Sequence, residues 1–367
     1  RESNLALIAY IRNYLDGFGI SSRLVHDETH RKANLYATVG PEDRPGIMLS
    51  GHTDVVPVDG QDWHSDPFQV NEKNDKLYGR GTCDMKSFIA IALSTVPQII
   101  ERSPSKPVHL AFSYDEEIGC VGVRPLIAMM NELPVKPEMC IVGEPTEMQV
   151  VIAHKGRKAV RVEVRGRESH SALTQLGVNA IEYAADLVSH LRGMARRFAE
   201  EGPFDPAFEI PYTTVQTGVI EGGTALNIVP NHCRFEFEMR NIPGHSTDDV
   251  LREVRDHTAR EIEPRMKDVD PACGFSFAEQ SHIEALNTGE DEEIVTLAKA
   301  LAGRNEHGAV AFGTEAGLFR HLGGVPAVVC GPGSIAQAHR PDEFIALDQV
   351  AACEAFLDRL VDRLDAA

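Results

Sequence analysis

Five short segments hold the residues best suited to chemistry. Ser50-Gly-His-Thr-Asp54 sets His52 two residues before Asp54. Gly79-Arg-Gly-Thr-Cys-Asp84 ends on a carboxylate, and Asp115-Glu116-Glu117 places carboxylates side by side. Gly143-Glu144-Pro145 adds another, and Gly331-Pro-Gly-Ser334 leads shortly to His339. Two histidines with several carboxylates and no cysteine suit a pair of divalent ions bridged by one carboxylate. Imidazole selects zinc, cobalt or manganese over calcium or magnesium, and zinc is the usual hydrolytic choice. Such a pair can hold a water, lower its pKa and polarise a carbonyl. A carboxylate outside the ligand set must then take the water's proton and pass it to the leaving amine. Glu116 and Glu117 offer that division, one base and one ligand. Asp54 can hold the second nitrogen of His52 and fix the ring.

The elements around these segments explain how they meet. Ile47 to Ser50, Val108 to Tyr114, Met139 to Gly143 and Val325 to Cys330 read as apolar strands. Helical patterns run from Asn4 to Asp16, Ser87 to Ile100, Gly122 to Glu132, Asp291 to Ala302 and Leu347 to Leu364. Continuously apolar strands separated by helices predict an α/β fold, a mostly parallel sheet flanked by helices on both faces. Each chemical segment follows a strand or opens a helix, and in open α/β sheets ligands bind at the shared carboxyl edge. Taken singly, each piece has an ordinary explanation: Glu116-Glu117 as a solvated acidic turn, Asp84 as a cap on the Ser87 helix. All would have to hold at one sheet edge together.

Between residues 154 and 281 the pattern changes. Val160 to Val164, Thr213 to Ile220, Cys233 to Met239 and Gly274 to Phe277 read as strands. Helices lie over residues 178–191 and 250–262, with Ser246 as N-cap. The order β-α-β-β-α-β is ferredoxin-like. The predicted organisation is a metal-binding domain of residues 1–153 and 282–367, interrupted by an α+β domain of residues 154–281. The length of 367 residues agrees with two domains at about 150 residues each.

With Lys+Arg 36 against Asp+Glu 55, the net charge of -19 argues against nucleic-acid and membrane partners. The longest apolar run, Phe88 to Val96, falls short of the roughly 18 residues of a span. Seven scattered cysteines without a Cys-x-x-Cys pair predict reduced thiols and a cytoplasmic location. The chain opens on Arg1, which leaves room for preceding residues or a cleaved leader.

The same five segments resemble the co-catalytic zinc aminoacylase/carboxypeptidase family of metallopeptidases (M20). The resemblance extends over nearly the whole chain and implies a zinc-exopeptidase-like sheet with an inserted lid and dimerisation domain. Gly177-Val-Asn-Ala-Ile181, Glu221-Gly-Gly-Thr-Ala-Leu-Asn227, Phe312-Gly-Thr-Glu-Ala-Gly317 and Cys330 to His339 are similar to the family's acetylornithine-deacetylating branch. The resemblance implies His52 and Glu144 on one Zn2+, Glu117 and His339 on the other, and Asp84 bridging, with Co2+ or Mn2+ as possible replacements. It implies Glu116 as general base, Asp54 supporting His52, and His170 stabilising the oxyanion. Asn227 and Arg240 would hold the substrate, Arg240 through a bidentate fork on its α-carboxylate. Gly331, Gly333 and Ser334 would offer backbone N–H groups.

The implied reaction is hydrolysis of a small N-acyl amino acid by a cytoplasmic homodimer. N-acetylornithine, cleaved to ornithine and acetate in arginine biosynthesis, is the expected substrate. Alternatives are acetylcitrulline deacetylation, succinyl-diaminopimelate desuccinylation, dipeptide hydrolysis or a non-catalytic metal-binding homologue. Two departures stand out: Ala172 to Gly177 lacks the family's usual proline, and Met85 replaces an acidic residue found in many relatives.

Overall fold

The computed structural model describes residues 2–364. The chain forms two compact units. One holds the chain up to His154, Leu286–Val310 and the chain from Thr314 onward; the other holds Lys155–Ala285 with Ala311–Gly313.

The first unit is built on a sheet with nine strands among the described residues. From one edge the order is Ser22–His26, Ala33–Val39, Val108–Ser113, Ile47–His52, Met139–Pro145, Ala327–Gly331, Val150–His154 and Leu286–Asn287. His307–Val310 also pairs with Val150–His154. The central four strands are mutually parallel. On the flanks, the Ser22–His26 and Ala33–Val39 hairpin is antiparallel, as are Ala33–Val39 with Val108–Ser113 and Val150–His154 with Leu286–Asn287, while His307–Val310 runs parallel to Val150–His154. Ile47–His52, Val108–Ser113 and Met139–Pro145 are buried at every position. Helices press on them, with Phe88, Ile91, Phe356 and Leu360 in one core with Leu110, Ile141 and Val328.

The single helix expected over Ser87 to Ile100 is two, Lys86–Ser94 and Val96–Arg102. Pro97 has no N–H to continue the ladder, and the hydroxyls of Ser94 and Thr95 both bond the Ile91 carbonyl. Asp84 does not cap the helix it precedes: the flanking position is Met85 and no side chain caps there.

In the second unit the sheet order is Thr214–Gly222, His232–Arg240, Arg157–Arg165, Gly274–Ile283, all antiparallel. Ala180–Glu201 and Thr247–His257 supply the two long helices, each with a polar cap from Asn179 or Ser246. This is the ferredoxin-like arrangement, with the first strand in the interior of the sheet. Burial alternates along Arg157–Arg165. Val160, Val162, Phe235 and Phe237 face inward against Leu187, Leu191 and Val254. The other face carries ion pairs such as Arg161–Glu236 and Arg157–Glu238.

Candidate metal centre

Strand register brings the chemical segments of the first unit together. His52 stands opposite Ser113 in the parallel pair, so the Asp115–Glu117 turn starts beside it. Ser50 stands opposite Val142, which sends Glu144 past the same edge. Gly331 stands opposite Pro145. Residue 331 must be small: a Cβ there would lie 2.0 Å from the carbonyl oxygen of Gly143.

Asp84 sits at the middle of the site. Its Oδ1 is 2.9 Å from His52 Nε2 and its Oδ2 is 3.3 Å from His339 Nε2. His339 Nε2 is also 3.0 Å from Glu117 Oε2, and His52 Nε2 is 3.8 Å from Glu144 Oε1. Among the described residues, two sets of donor atoms lie within 4.8 Å of one another: His52, Glu116 and Glu144, and His52, Asp84 and Glu117. Two imidazoles with four carboxylates, one presenting an oxygen to each imidazole, match two neighbouring cations that prefer nitrogen and oxygen ligands. The packing of negative charge points the same way. Burial, then the nearby charge of Asp84, pushes the Glu144 carboxyl well above the usual range, a cost that bound cations would relieve.

The surrounding hydrogen bonds fix these groups. Asp54 lies 3.5 Å from His52 Nδ1, and its carboxylate accepts the Glu116 and Glu117 backbone N–H groups at 3.2 and 3.1 Å. Asp54 thus orients the histidine through its backbone carbonyl, 3.1 Å from His52 Nδ1, and the diglutamate turn through its carboxylate. Lys32 holds Asp115 at 2.6 Å, and Asp115 takes a left-handed φ of 55° at the bend. Burial works against a charged His52, but Asp54 and Asp84 outweigh it and hold its pKa well above the ordinary value. His339 is raised to about 10 by Asp84 and then Glu117. Glu116 is raised to about 8, mainly by burial, and accepts a hydrogen bond from the Cys120 thiol at 3.1 Å.

Three further residues were not singled out from the sequence. Glu315 is buried beneath the strands, accepts hydrogen bonds from Ser113 at 2.5 Å and Ser50 at 3.5 Å, and is raised to about 7 mainly by burial. Glu343 and Arg80 form a buried pair at 2.6 Å below the Asp84 loop. A carboxylate inside the apolar stretch Phe312 to Gly317 was the available signal for Glu315; Glu343 follows an acidic neighbour in a polar segment and carries none.

The remaining candidates are arranged differently. Gly331 N–H donates to Thr146 Oγ1 at 3.2 Å and Gly333 N–H to Gln349 Oε1 at 3.3 Å, so both are engaged within the fold. Ser334 bridges to Thr146. In the second unit, His170 precedes the short helix Ser171–Leu176, and Ser171 N–H donates to the Asn227 carbonyl at 3.1 Å. His170 and Asn227 therefore lie on adjoining loops, both exposed. Arg240 ends its strand with Nε 3.1 Å from Glu238.

Fold and site together define a metallohydrolase. The model of peptidase family M20/M25/M40 matches residues 48–363, and the chain belongs to that family. In sequence it is 34% identical over 367 residues to the acetylornithine deacetylase of Proteus mirabilis, covering 98% of this chain and 90% of the relative. The acetylornithine deacetylase of Photorhabdus laumondii is also 34% identical, over 98% of this chain and 91% of its own. In fold it is similar to an M20 family metallo-carboxypeptidase from Sulfolobus solfataricus, with a TM-score of 0.75 at 19% identity over 98% and 94% of the two chains. A dinuclear metal binding M20 peptidase from Bacillus subtilis superposes with a TM-score of 0.68 at 15% identity, over 98% and 91%.

Proposed function

We propose that this protein hydrolyses the amide bond of N-acyl amino acids, with N-acetylornithine as substrate and ornithine and acetate as products. One observation carries the chemistry: Asp84 presents one oxygen to His52 and the other to His339. The similarity to acetylornithine deacetylases along almost the whole chain supports the substrate. In this proposal His52 and Glu144 would hold one Zn2+, Glu117 and His339 the other, with Asp84 as the shared ligand. When bound, the two ions acidify a water and polarise the acyl carbonyl.

The protein's own groups do the rest. Asp54 fixes the His52 ring and, through two backbone N–H groups, the turn bearing Glu116. Glu116 takes the proton of the attacking water and returns it to the amine nitrogen as the C–N bond breaks. His170 is proposed to stabilise the oxyanion, and Asn227 and Arg240 to hold the amino acid part. Ser334, Gly331 and Gly333 shape the turn before His339. We further propose a homodimer formed through the second unit and a cytoplasmic location; among the described residues no helix is long and apolar enough to cross a membrane.

The test is kcat/KM on acetylornithine, acetylcitrulline, acetylmethionine and succinyl-diaminopimelate after dialysis and zinc or cobalt readdition. Acetylornithine should lead the series, and activity should return only with metal. A higher value for the succinyl substrate would overturn the substrate assignment.

A further inference from the structure

We infer that Gln61 is a positioning residue for His339, joined to the Asp84 loop by a hydrogen-bonded chain through Arg80 and the buried Glu343; this rests on the proposal that Asp84 and His339 are ligands. The chain starts at Glu343. Its Oε1 accepts three backbone N–H groups, from Gly81 at 3.0 Å, Cys83 at 2.8 Å and Asp84 at 3.0 Å. Its Oε2 accepts from Arg80 Nη1 at 2.6 Å, and the two side chains are 0% and 1% exposed. The loop carrying Asp84 is thus wrapped on a single carboxylate.

Arg80 then reaches outward. Its Nη2 donates to Gln61 Oε1 at 2.7 Å, and the same oxygen accepts from Trp63 Nε1 at 3.1 Å. Two donors at that oxygen decide the orientation of the amide, because a carbonyl accepts and an NH2 cannot. The NH2 is therefore turned to the His339 carbonyl, which it meets at 3.0 Å. His64 N–H adds a second tie to the same segment, at Asp342 Oδ1 and 2.9 Å.

His339 needs such a hold. Its φ is 64°, in the left-handed region that a residue with a Cβ rarely occupies unless its surroundings impose it. Its side chain is 54% exposed, whereas that of His52 is 1% exposed and fixed by packing. Among the described residues its ring meets only Asp84 and Glu117, so the hold that is independent of the metal ligands comes through its main chain, at the carbonyl that accepts from Gln61. Gln61 is half-buried, so it can be changed without opening the core.

Two variants of the full chain separate this role from a structural one. In Gln61→Glu the side chain still accepts from Arg80 and Trp63 but has no N–H for His339. In Gln61→Leu all three contacts, with Arg80, Trp63 and His339, are lost. Each protein is stripped of metal, then titrated with zinc in competition with a chromogenic chelator, without substrate. Both variants should bind one zinc like the unaltered protein and the other about 10–100-fold more weakly, the range for residues that orient a ligand. Unaltered binding of two zinc ions by both variants would overturn the inference. So would normal binding by Gln61→Glu alone, which would reduce Gln61 to an acceptor for Arg80. If the parent chain binds two zinc ions yet hydrolyses no N-acyl amino acid, the proposed function fails and this inference stands. A parent that binds fewer than two zinc ions overturns both.

Discussion

The two sheets use charge in opposite ways. In the first unit, Ile47–His52, Val108–Ser113 and Met139–Pro145 are buried along their whole length, and their polar residues gather mainly at the carboxyl ends: Ser50, His52, Ser113 and Glu144. A strand covered on both faces cannot carry an idle polar side chain, since an unpaired buried group costs about 1–3 kcal/mol. His109, the exception at the far end, is bonded through Nδ1 to Tyr36 and Thr38, while its buried Nε2 has no partner among the described residues. In the second unit, Arg157–Arg165 alternates: Arg157 and Arg161 pair with Glu238 and Glu236 on the half-exposed face, while the buried Lys158 pairs with Asp248 and Glu279. The half-exposed pairs contribute little. Apart from His109, the polar residues of these first-sheet strands stand where the metal-binding segments begin, whereas most charged residues of the second sheet pair on its half-exposed face, with Arg240 at a strand end.

That contrast can be broken by experiment. Glu116→Gln should lower kcat by about 100- to 10,000-fold, with both metals retained, when measured by steady-state kinetics beside metal analysis. An unchanged rate would remove the chemical meaning of that edge. Phe237→Ala, in the core of the second unit, should cost about 3–5 kcal/mol by denaturant unfolding. It should leave the zinc content of the folded protein unaltered; a loss of zinc would blur the division.

The smallest expected effect is a pH slope. Glu315 keeps its proton in the folded protein up to about pH 7, whereas an unfolded carboxyl gives it up near about 4.3. Between those values the folded state binds more protons, so stability falls as pH rises. Melting temperatures of the metal-free protein should drop across that window, and Glu315→Gln should flatten part of the decline. Equal slopes would show that Glu315 does not titrate as its burial demands.

Much of this was legible in the sequence, for physical reasons. Apolar runs ending in Gly51-His52 or Gly143-Glu144 announce both a buried strand and the point where it meets its ligand edge. The α/β class and the β-α-β-β-α-β order of the insertion follow from the two kinds of periodicity. The edge strands were not legible: Ser22–His26 and His307–Val310 are short and half-buried, and neither alternates cleanly. Glu343 and Arg80 were missed because their role exists only once residues far apart in sequence are folded together. The expected N–H donors at Gly331 and Gly333 show the same limit, for their acceptors Thr146 and Gln349 are also distant in sequence.

Apart from the short Ala311–Gly313 excursion, the place where the chain leaves the first unit lies beside the place where it returns. His154 and Leu286 are direct partners in an antiparallel pair. Topologically, the intervening 155–285 stretch occupies the position of a hairpin turn. A graft at such a point leaves the host's strand register undisturbed, so the host could in principle be resealed there with a few turn-forming residues.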